Sequence, residues 1–223
     1  MEKDPRKIIS EMCQNFYSQG WVSGTGGGIS IRRGDRIYMA PSGVEKEKIQ
    51  PQDCFVVNLQ GDVLEGPENE KLKLTECAPL FLSAFELRNA GAVLHSHSSN
   101  VVLMTMLARR LDEELSVLEF TQLEMIKGII GHGYYDTFEL PVVDNTAREC
   151  DLTSSLRKAI ERFPDTPAVA VRNHGIYVWG PDEVKAKTQA ECIDFICEVY
   201  WKMRSAGIES HISAPPQTAA LRS

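Results

Sequence analysis

The segment Gly91-Ala92-Val93-Leu94-His95-Ser96-His97-Ser98 decides how the fold and the candidate site are interpreted. Val93 and Leu94 favour a strand, and residues i and i+2 of a strand project from the same face. His95 and His97 should therefore point to the same side at the end of a buried strand, where two imidazoles can bind one metal ion. A protein metal site needs at least a third ligand from elsewhere in the chain.

The third ligand is predicted to be His174, which lies in the turn Asn173-His174-Gly175 between two apolar strands. Three histidines with one open position are typical of a catalytic zinc rather than of a closed structural site. Another first-row metal would accept the same ligands. His132, in a glycine-flanked loop, is the competing third ligand, and the alternative for the first two histidines is a pair of satisfied polar residues at a strand end.

Two loops of small residues are candidates for binding an anion. The first is Gly24-Thr25-Gly26-Gly27-Gly28 and the second is Pro41-Ser42-Gly43-Val44. Clustered glycines are costly in conformational entropy, and exposed N–H groups in such loops can form a concave anion site. The first loop does not have the dinucleotide-binding spacing, and a strand rather than a helix is expected after it. A tight structural turn is its alternative interpretation.

Proton transfer at such a site needs an acid or a base, and two glutamates are candidates. Glu124 lies in a short, largely apolar helical segment, and its alternative is a solvated helix carboxylate. Glu76 lies at a predicted helix start, where the helix dipole also favours a carboxylate without any function. Cys77 lies in the same first turn, where the dipole is expected to lower the pKa of the thiol. Thr75 is the predicted N-cap.

Hydrophobic periodicity predicts alternating helices and strands along the chain. The helices are predicted over 6–19, 75–89, 147–163 and 181–206, with a shorter one after Ser98 and one or two helical turns over 122–128. The strands are predicted over 29–32, 36–40, 55–59, 91–95, 115–120, 140–143, 168–172 and 176–180.

Length and composition predict a single globular domain over residues 1–223, with a loosely held tail at 207–223. The net charge of −7 and the dispersed basic residues argue against nucleic-acid binding. The start of the chain is not a secretory signal, and no apolar run is long enough for a membrane span. Six scattered cysteines without a C-x-x-C pair predict reduced thiols in a cytoplasmic protein.

Six motifs together resemble the class II aldolase/adducin-like family over roughly residues 8–206. They are Gly24-Thr25-Gly26-Gly27-Gly28-Ile29-Ser30, Ala40-Pro41-Ser42-Gly43-Val44, Cys77-Ala78-Pro79-Leu80-Phe81, Gly91-Ala92-Val93-Leu94-His95-Ser96-His97, Glu124-Met125-Ile126-Lys127-Gly128 and Arg172-Asn173-His174-Gly175-Ile176-Tyr177-Val178-Trp179-Gly180. The His-x-His and Arg-x-His-Gly pieces are typical of the whole superfamily. The other glycine, cysteine and glutamate motifs are more specific to its dehydratase branch.

The resemblance implies an α/β fold, a three-layer α/β/α architecture with a mainly antiparallel central sheet. It implies one Zn²⁺ per subunit on His95, His97 and His174, with Glu124 as catalytic acid/base and Cys77 at the substrate. It implies that a phosphate group is bound by residues of the two loops, which are Gly26, Gly27, Gly28, Ser42 and Gly43, with Thr75 as a weaker candidate. It further implies a homotetramer with sites near subunit interfaces.

The implied reaction is the zinc-dependent dehydration of 5-methylthioribulose 1-phosphate to 2,3-diketo-5-methylthiopentyl 1-phosphate, in methionine salvage. Two rivals remain open at this point. Glu76 occupies about the position of the catalytic glutamate of the superfamily's aldolases, so a sugar-phosphate aldolase or 4-epimerase on the same zinc scaffold is possible. A non-catalytic adducin-like interaction module is the second rival, and the intact set of three histidines argues against it.

Overall fold

Twelve strands and five α-helices make up residues 3–208, the part of the chain that the computed structural model describes. The helices are α1 (Pro5–Ser18), α2 (Ala78–Arg88), α3 (Ser99–Thr105), α4 (Thr153–Arg162) and α5 (Glu183–Ser205). The strands are β1 (Gly28–Arg33), β2 (Arg36–Met39), β3 (Pro41–Ser42), β4 (Phe55–Val57), β5 (Val63–Glu65), β6 (Lys73–Leu74), β7 (Ala92–Ser96), β8 (Arg109–Arg110), β9 (Leu115–Phe120), β10 (Phe138–Val143), β11 (Ala168–Val171) and β12 (Gly175–Gly180). Short 3-10 helices span Lys46–Lys48, Pro51–Asp53, Glu124–Gly128 and Glu149–Leu152.

Ten of these strands form one sheet in the order β5-β4-β2-β1-β7-β12-β11-β10-β9-β8. Every neighbouring pair in it is antiparallel except β10 and β11, which are parallel and are joined through α4. A parallel pair needs such a crossover connection. β3 and β6 pair separately. The strand that carries the histidine motif, β7, lies near the middle of the large sheet.

The sheet has a helical layer on each face. Alternate residues of β7 face opposite layers: Ala92 and Leu94 join the core beneath α1, α3 and α5, while Val93 joins the core beneath α2 and α4. All three are fully buried, and burying an aliphatic side chain such as Val or Leu contributes about 1.5–3 kcal/mol relative to leaving it exposed. The predicted three-layer architecture with a mainly antiparallel sheet is confirmed.

Local signals explain where the outer helices begin. The Asp4 carboxylate accepts the Arg6 N–H at 3.0 Å, and Pro5 occupies the first turn of α1. The Asp182 carboxylate accepts the Lys185 N–H at 2.7 Å at the start of α5. Side-chain acceptors at these positions satisfy N–H groups that have no partner within the helix. Ser98 caps α3 in the same way, since its hydroxyl accepts the Val101 N–H.

Two predicted helix starts are wrong. The helix predicted from residue 75 begins at Ala78 with Cys77 as its N-cap, and Thr75 instead accepts the Cys77 N–H at 3.3 Å, outside the helix. The helix predicted over 147–163 is a 3-10 helix at Glu149–Leu152 that continues as α4 to Arg162. In both cases the hydrophobic periodicity predicts the helix correctly, and only its first predicted turn is not α-helical in the structure.

Three further predictions concern the cysteines, membrane spans and the C-terminal tail. All six cysteines are free. Within residues 3–208, the structure contains no helix with the length and apolarity that a membrane crossing requires. Most of the predicted tail at 207–223 lies outside the described residues.

Candidate metal centre

His95 and His97 lie where β7 ends, between its two partner strands. β7 pairs with β1 through His95 opposite Gly28, and with β12 through His95 opposite Tyr177. The His95 ring is fully buried and stacks on the Tyr177 ring with centroids 4.1 Å apart. His97 follows the last strand residue, and its N–H donates to the Trp21 carbonyl at 2.7 Å. The two Nε2 atoms are 2.9 Å apart, so both side chains point to one spot.

His174 reaches the same spot from the turn between β11 and β12. Asn173 adopts a left-handed conformation with φ of 55°, and the His174 N–H donates to the Val171 carbonyl at 3.1 Å, which closes the turn. Asparagine tolerates this conformation better than most residues. The His174 ring centroid lies 5.1 Å from that of His95 and 4.9 Å from that of His97. The structure therefore brings together the three histidines that the sequence predicts as ligands.

Hydrogen bonds on the far side of two rings set their orientation. His95 Nδ1 is 3.1 Å from the Ile176 carbonyl oxygen, to which it must donate. His174 Nδ1 is 3.2 Å from Asn145 Oδ1. A proton fixed at Nδ1 leaves a lone pair at Nε2, and Nε2 is the atom that faces the centre of the cluster. Such bonds are the usual means by which a protein orients metal-binding histidines.

Glu149 completes the cluster, although no sequence motif points to it. Its Oε1 lies 3.3 Å from His95 Nε2 and 3.2 Å from His174 Nε2. Burial alone would raise the pKa of this carboxyl, but its close contacts with His174 and His95 hold the pKa well below its usual range. Glu149 opens the first 3-10 turn before α4. A single glutamate at a predicted helix start gives no signal that could distinguish it from an ordinary surface carboxylate.

The four side chains fit a divalent metal ion. One nitrogen or oxygen atom from each of His95, His97, His174 and Glu149 lies within 4.8 Å of the others. Ligands about 2.0–2.2 Å from a tetrahedral ion lie roughly 3.3–3.6 Å from one another, and Glu149 Oε1 lies at a similar distance, 3.3 and 3.2 Å, from the Nε2 atoms of His95 and His174. Burial lowers the pKa of His95 and lowers that of His97 to about 3, so both imidazoles are held in the neutral, ligating form. The donor set is compatible with a metal ion.

Cys77 and Tyr177 form the buried wall behind this cluster. The Cys77 thiol donates to Glu149 Oε2 at 3.0 Å. Burial, followed by the nearby Glu149 charge, raises the pKa of Cys77 to about 12, so the expected lowering by the helix dipole is wrong. The buried Tyr177 hydroxyl lies beside the Cys77 thiol and the Glu149 carboxylate. Burial, followed by the charges of Cys77 and Glu149, raises its pKa well above the usual value.

The two predicted acid/base glutamates lie outside the cluster. Glu124 is in a 3-10 helix, its side chain is 70% exposed, and its carboxylate pairs with Lys127 at 2.9 Å. That helix packs on α5, where Lys185 Nζ donates to the Gly128 carbonyl at 2.9 Å. α5 covers the opposite face of the sheet from Cys77. Glu76 is exposed in the turn before α2.

The competing ligand, His132, is also separate from the cluster. Its Nδ1 lies 3.0 Å from the Ile130 carbonyl oxygen, and its ring contacts Phe138.

The glycine loop lies directly against the metal cluster. A Cβ on Gly26 would come within 2.4 Å of His97 Cε1, so only glycine fits there. Gly27 has φ of 74°, and Gly28 enters β1 opposite His95. In the second loop, Ser42 is half-buried in β3 and Gly43 is exposed with φ of 69°. The first loop therefore leads into β1, and the second follows β2, whose last residue Met39 pairs with Ser30 of β1.

Residues 7–201 match the family described as Class II Aldolase and Adducin N-terminal domain. The chain belongs to this family. Its architecture agrees with solved family structures: an L-fuculose 1-phosphate aldolase superposes with a TM-score of 0.75 at 20% identity, covering 93% of this chain and 89% of that chain. The L-fuculose-1-phosphate aldolase from Thermus thermophilus gives a TM-score of 0.68 at 19% identity, covering 91% of this chain and 97% of that chain. At these identities the likeness concerns the fold alone.

Sequence relatives within the family are much more similar. A methylthioribulose-1-phosphate dehydratase of Gallus gallus is 46% identical over 92% of this chain and 86% of its own length. A relative in Leishmania major, named as a probable enzyme of the same kind, is 47% identical over 92% of this chain and 86% of its own length. A plant relative, a probable bifunctional methylthioribulose-1-phosphate dehydratase/enolase-phosphatase E1 of Arabidopsis thaliana, is 45% identical over 99% of this chain. The chain spans only 45% of that plant relative's length.

Proposed function

We propose that the protein is a metal-dependent dehydratase that converts 5-methylthioribulose 1-phosphate to 2,3-diketo-5-methylthiopentyl 1-phosphate, a step of methionine salvage. The observation that carries the proposal is the convergence of His95, His97 and His174 on one point at the end of a buried strand. The high identity to dehydratases of the same family supports the choice of substrate. Zinc is the proposed metal, because an open set of three histidines is typical of catalytic zinc.

The residues of this chain offer two regions to such a substrate: the histidine cluster for a metal ion and the two small-residue loops for the phosphate group. A bound zinc ion would act as a Lewis acid for the oxygens at C2 and C3 and would stabilise negative charge there. His95, His97 and His174 would hold it, and Glu149 lies beside the same position. The two small-residue loops would bind the phosphate and orient the carbon chain. Cys77 shapes the buried wall and does not act as a nucleophile, because its pKa is raised to about 12.

We propose that Glu124 is the acid that protonates the departing C4 hydroxyl. Its carboxylate is exposed and lies on the α5 side of the sheet, away from the metal cluster of its own chain. We therefore propose that Glu124 serves the site of a neighbouring copy in a homotetramer. Glu149 is the carboxylate closest to the metal position, and its bonds to two of the histidines suit a ligand or positioning residue.

The rival functions make different demands on the site. An aldolase or epimerase would use Glu76, which is exposed and lies outside the four-residue cluster, as Glu124 does, so the identity of the product has to separate this rival. A binding module without catalytic activity would not need three converging imidazoles, two of which are oriented by hydrogen bonds on their far side. The six free cysteines support a reducing compartment, for which we propose the cytoplasm.

The test is product identity with purified, zinc-loaded protein and methylthioribulose 1-phosphate. We expect a diketone product, and cleavage to a three-carbon phosphate would instead establish an aldolase. Glu124→Gln should keep its metal and lose about 10²–10⁴-fold in turnover, the range for a missing acid/base. Glu119→Gln is the matched control, because Glu119 is similarly exposed and ion-paired, to Arg109. Retained turnover in Glu124→Gln would remove Glu124 from this role.

A mixing experiment tests whether Glu124 acts between subunits. Glu124→Gln and His95→Ala proteins are each expected to be inactive. If the acid/base comes from a neighbour, hybrids formed by subunit exchange at equal amounts should regain about a quarter of wild-type turnover, because a quarter of the sites combine intact residues. If Glu124 acts within its own chain, no mixed subunit contains both intact groups and activity stays absent.

A further inference from the structure

Lys46 is a buried lysine at the start of the 3-10 helix Lys46–Lys48, and only 3% of its surface is exposed. Its ammonium group donates to three backbone carbonyls: Thr25 at 2.5 Å, Val44 at 3.2 Å and Pro41 at 3.4 Å. Lysine is almost never fully buried unless its charge is paired. The three carbonyls use all three N–H donors of the group, but they do not neutralise its charge.

The charge of Lys46 has no direct counterion among residues 3–208. No carboxylate of that part of the chain is within ion-pair distance of its Nζ, although the net charge of the whole protein is −7. Burial lowers the pKa of this ammonium, and the more distant negative charge of Glu149 opposes that effect. An uncompensated buried cation is costly, so its retention calls for an anion that is bound nearby.

Lys46 also connects the two small-residue loops. Thr25 belongs to the glycine loop, whereas Pro41 and Val44 flank Ser42-Gly43 in the second loop. The Lys46 side chain passes close to Gly28, where an added Cβ would lie 3.6 Å from Lys46 Cε. The glycine loop in turn touches His97 through Gly26. One side chain thus fixes the separation of the two loops beside the metal cluster.

We propose that Lys46 is a positioning residue that joins the two loops into one cradle for the substrate's phosphate group, and that the phosphate dianion balances its buried charge. This inference rests on the proposed function, since it assigns how that substrate is held. The loops' N–H groups and the Ser42 hydroxyl make the contacts with the phosphate oxygens. Lys46 acts from behind them, through loop geometry and electrostatic attraction, because its own donors are occupied.

The first test is Lys46→Met, which keeps the apolar stem and removes the charge and the three donors. We expect KM for methylthioribulose 1-phosphate to rise about 10–100-fold, the range for losing an interaction with a charged group, while kcat changes far less. The inhibition constant of inorganic phosphate should rise by a similar factor. Lys48→Met is the matched control, because Lys48 is exposed and pairs with Glu45. A fall in kcat with KM unchanged would overturn the proposal.

The second test uses the unmodified protein and needs no turnover. Hydrogen exchange of the zinc-loaded protein is measured with and without inorganic phosphate. We expect phosphate to slow exchange in residues 24–28 and 41–46 together, and to do so in Lys48→Met but much less in Lys46→Met. Protection of one loop alone, or of neither, would overturn the proposal even if Lys46→Met fails to fold. Joint protection in a protein that does not dehydrate the substrate would support the anion cradle while rejecting the proposed reaction.

Discussion

The Cys77 thiol and the Glu149 carboxylate, 72 positions apart in sequence, meet at 3.0 Å between Sγ and Oε2. This contact joins the start of α2 to the 3-10 turn before α4. The other oxygen of Glu149 faces His95 and His174, so one carboxylate links a buried thiol to two candidate metal ligands. The thiol must donate in this arrangement, because an ionised carboxylate only accepts. Protonated Cys77 is therefore part of what orients Glu149.

We predict that Cys77 is chemically inert. Burial and the adjacent Glu149 charge raise the pKa of its thiol to about 12, and only the thiolate is a good nucleophile. Brief treatment with iodoacetamide at about pH 8, where ordinary thiols react, should label the exposed Cys150 and leave Cys77 unlabelled, as measured by peptide mass mapping. Equal labelling of the two would show that the thiol at the site is reactive after all.

We predict that Glu149→Gln weakens metal binding. The amide keeps the shape but loses the negative charge next to His95 and His174, so zinc affinity should fall about 10–100-fold, as for other groups that support metal ligands. Competition with a chromophoric chelator measures the change. Glu124→Gln is the matched control, because Glu124 is 70% exposed and is not part of the cluster. Unchanged zinc affinity in Glu149→Gln would mean that its contacts with the histidines have no part in holding the metal.

Regular spacing made much of the site predictable. The two-residue spacing of His95 and His97 fixes their common direction as soon as the strand is recognised, and the tight turn around His174 made it the best third candidate. Glu149 and Lys46 could not be predicted in the same way. Each lies in a locally ordinary stretch, and its importance comes from contacts with distant parts of the chain, at His95 and Cys77 for Glu149 and at Thr25 for Lys46.

The thiol of Cys77 shows why local rules can give the wrong sign. Its place at a helix start predicts a lowered pKa from the helix dipole, an effect worth at most about 2 kcal/mol. Complete burial beside a carboxylate acts in the opposite direction and outweighs it. Burial of a single side chain depends on how α2 packs on the sheet and on α4, which the residues near Cys77 in sequence do not reveal.

Metal-free protein should lose stability as the pH falls through about 6.5, the usual histidine pKa. Burial first, and then the neighbouring imidazoles, lower the pKa of His97 to about 3 in the folded protein. The unfolded chain therefore binds a proton that the folded one resists, and stability declines from about pH 6.5 toward 3. The melting temperature of chelator-treated protein is measured between about pH 7.5 and 5.5, above the range where ordinary carboxylates titrate. As the pH falls, it should decrease less steeply in His97→Gln than in the wild type. Identical slopes would contradict the assignment to His97.

Gly26→Ala should damage the metal centre without unfolding the protein. The added methyl group would lie 2.4 Å from His97 Cε1 and 2.7 Å from its Nδ1, distances that real contacts do not allow. If the loop stays in place, the ring has to shift, and the shift disturbs the position of its Nε2, which lies 2.9 Å from that of His95. Because a ligand displaced by about 1 Å no longer fits the short zinc–nitrogen bond, zinc affinity and turnover should both fall at least about tenfold. Zinc content and turnover measure the two effects, and circular dichroism tests whether the protein stays folded. Gly66→Ala is the control, since its added methyl group would meet only Phe55, at 4.0 Å. Normal zinc binding by Gly26→Ala would show that the glycine loop can move away from His97.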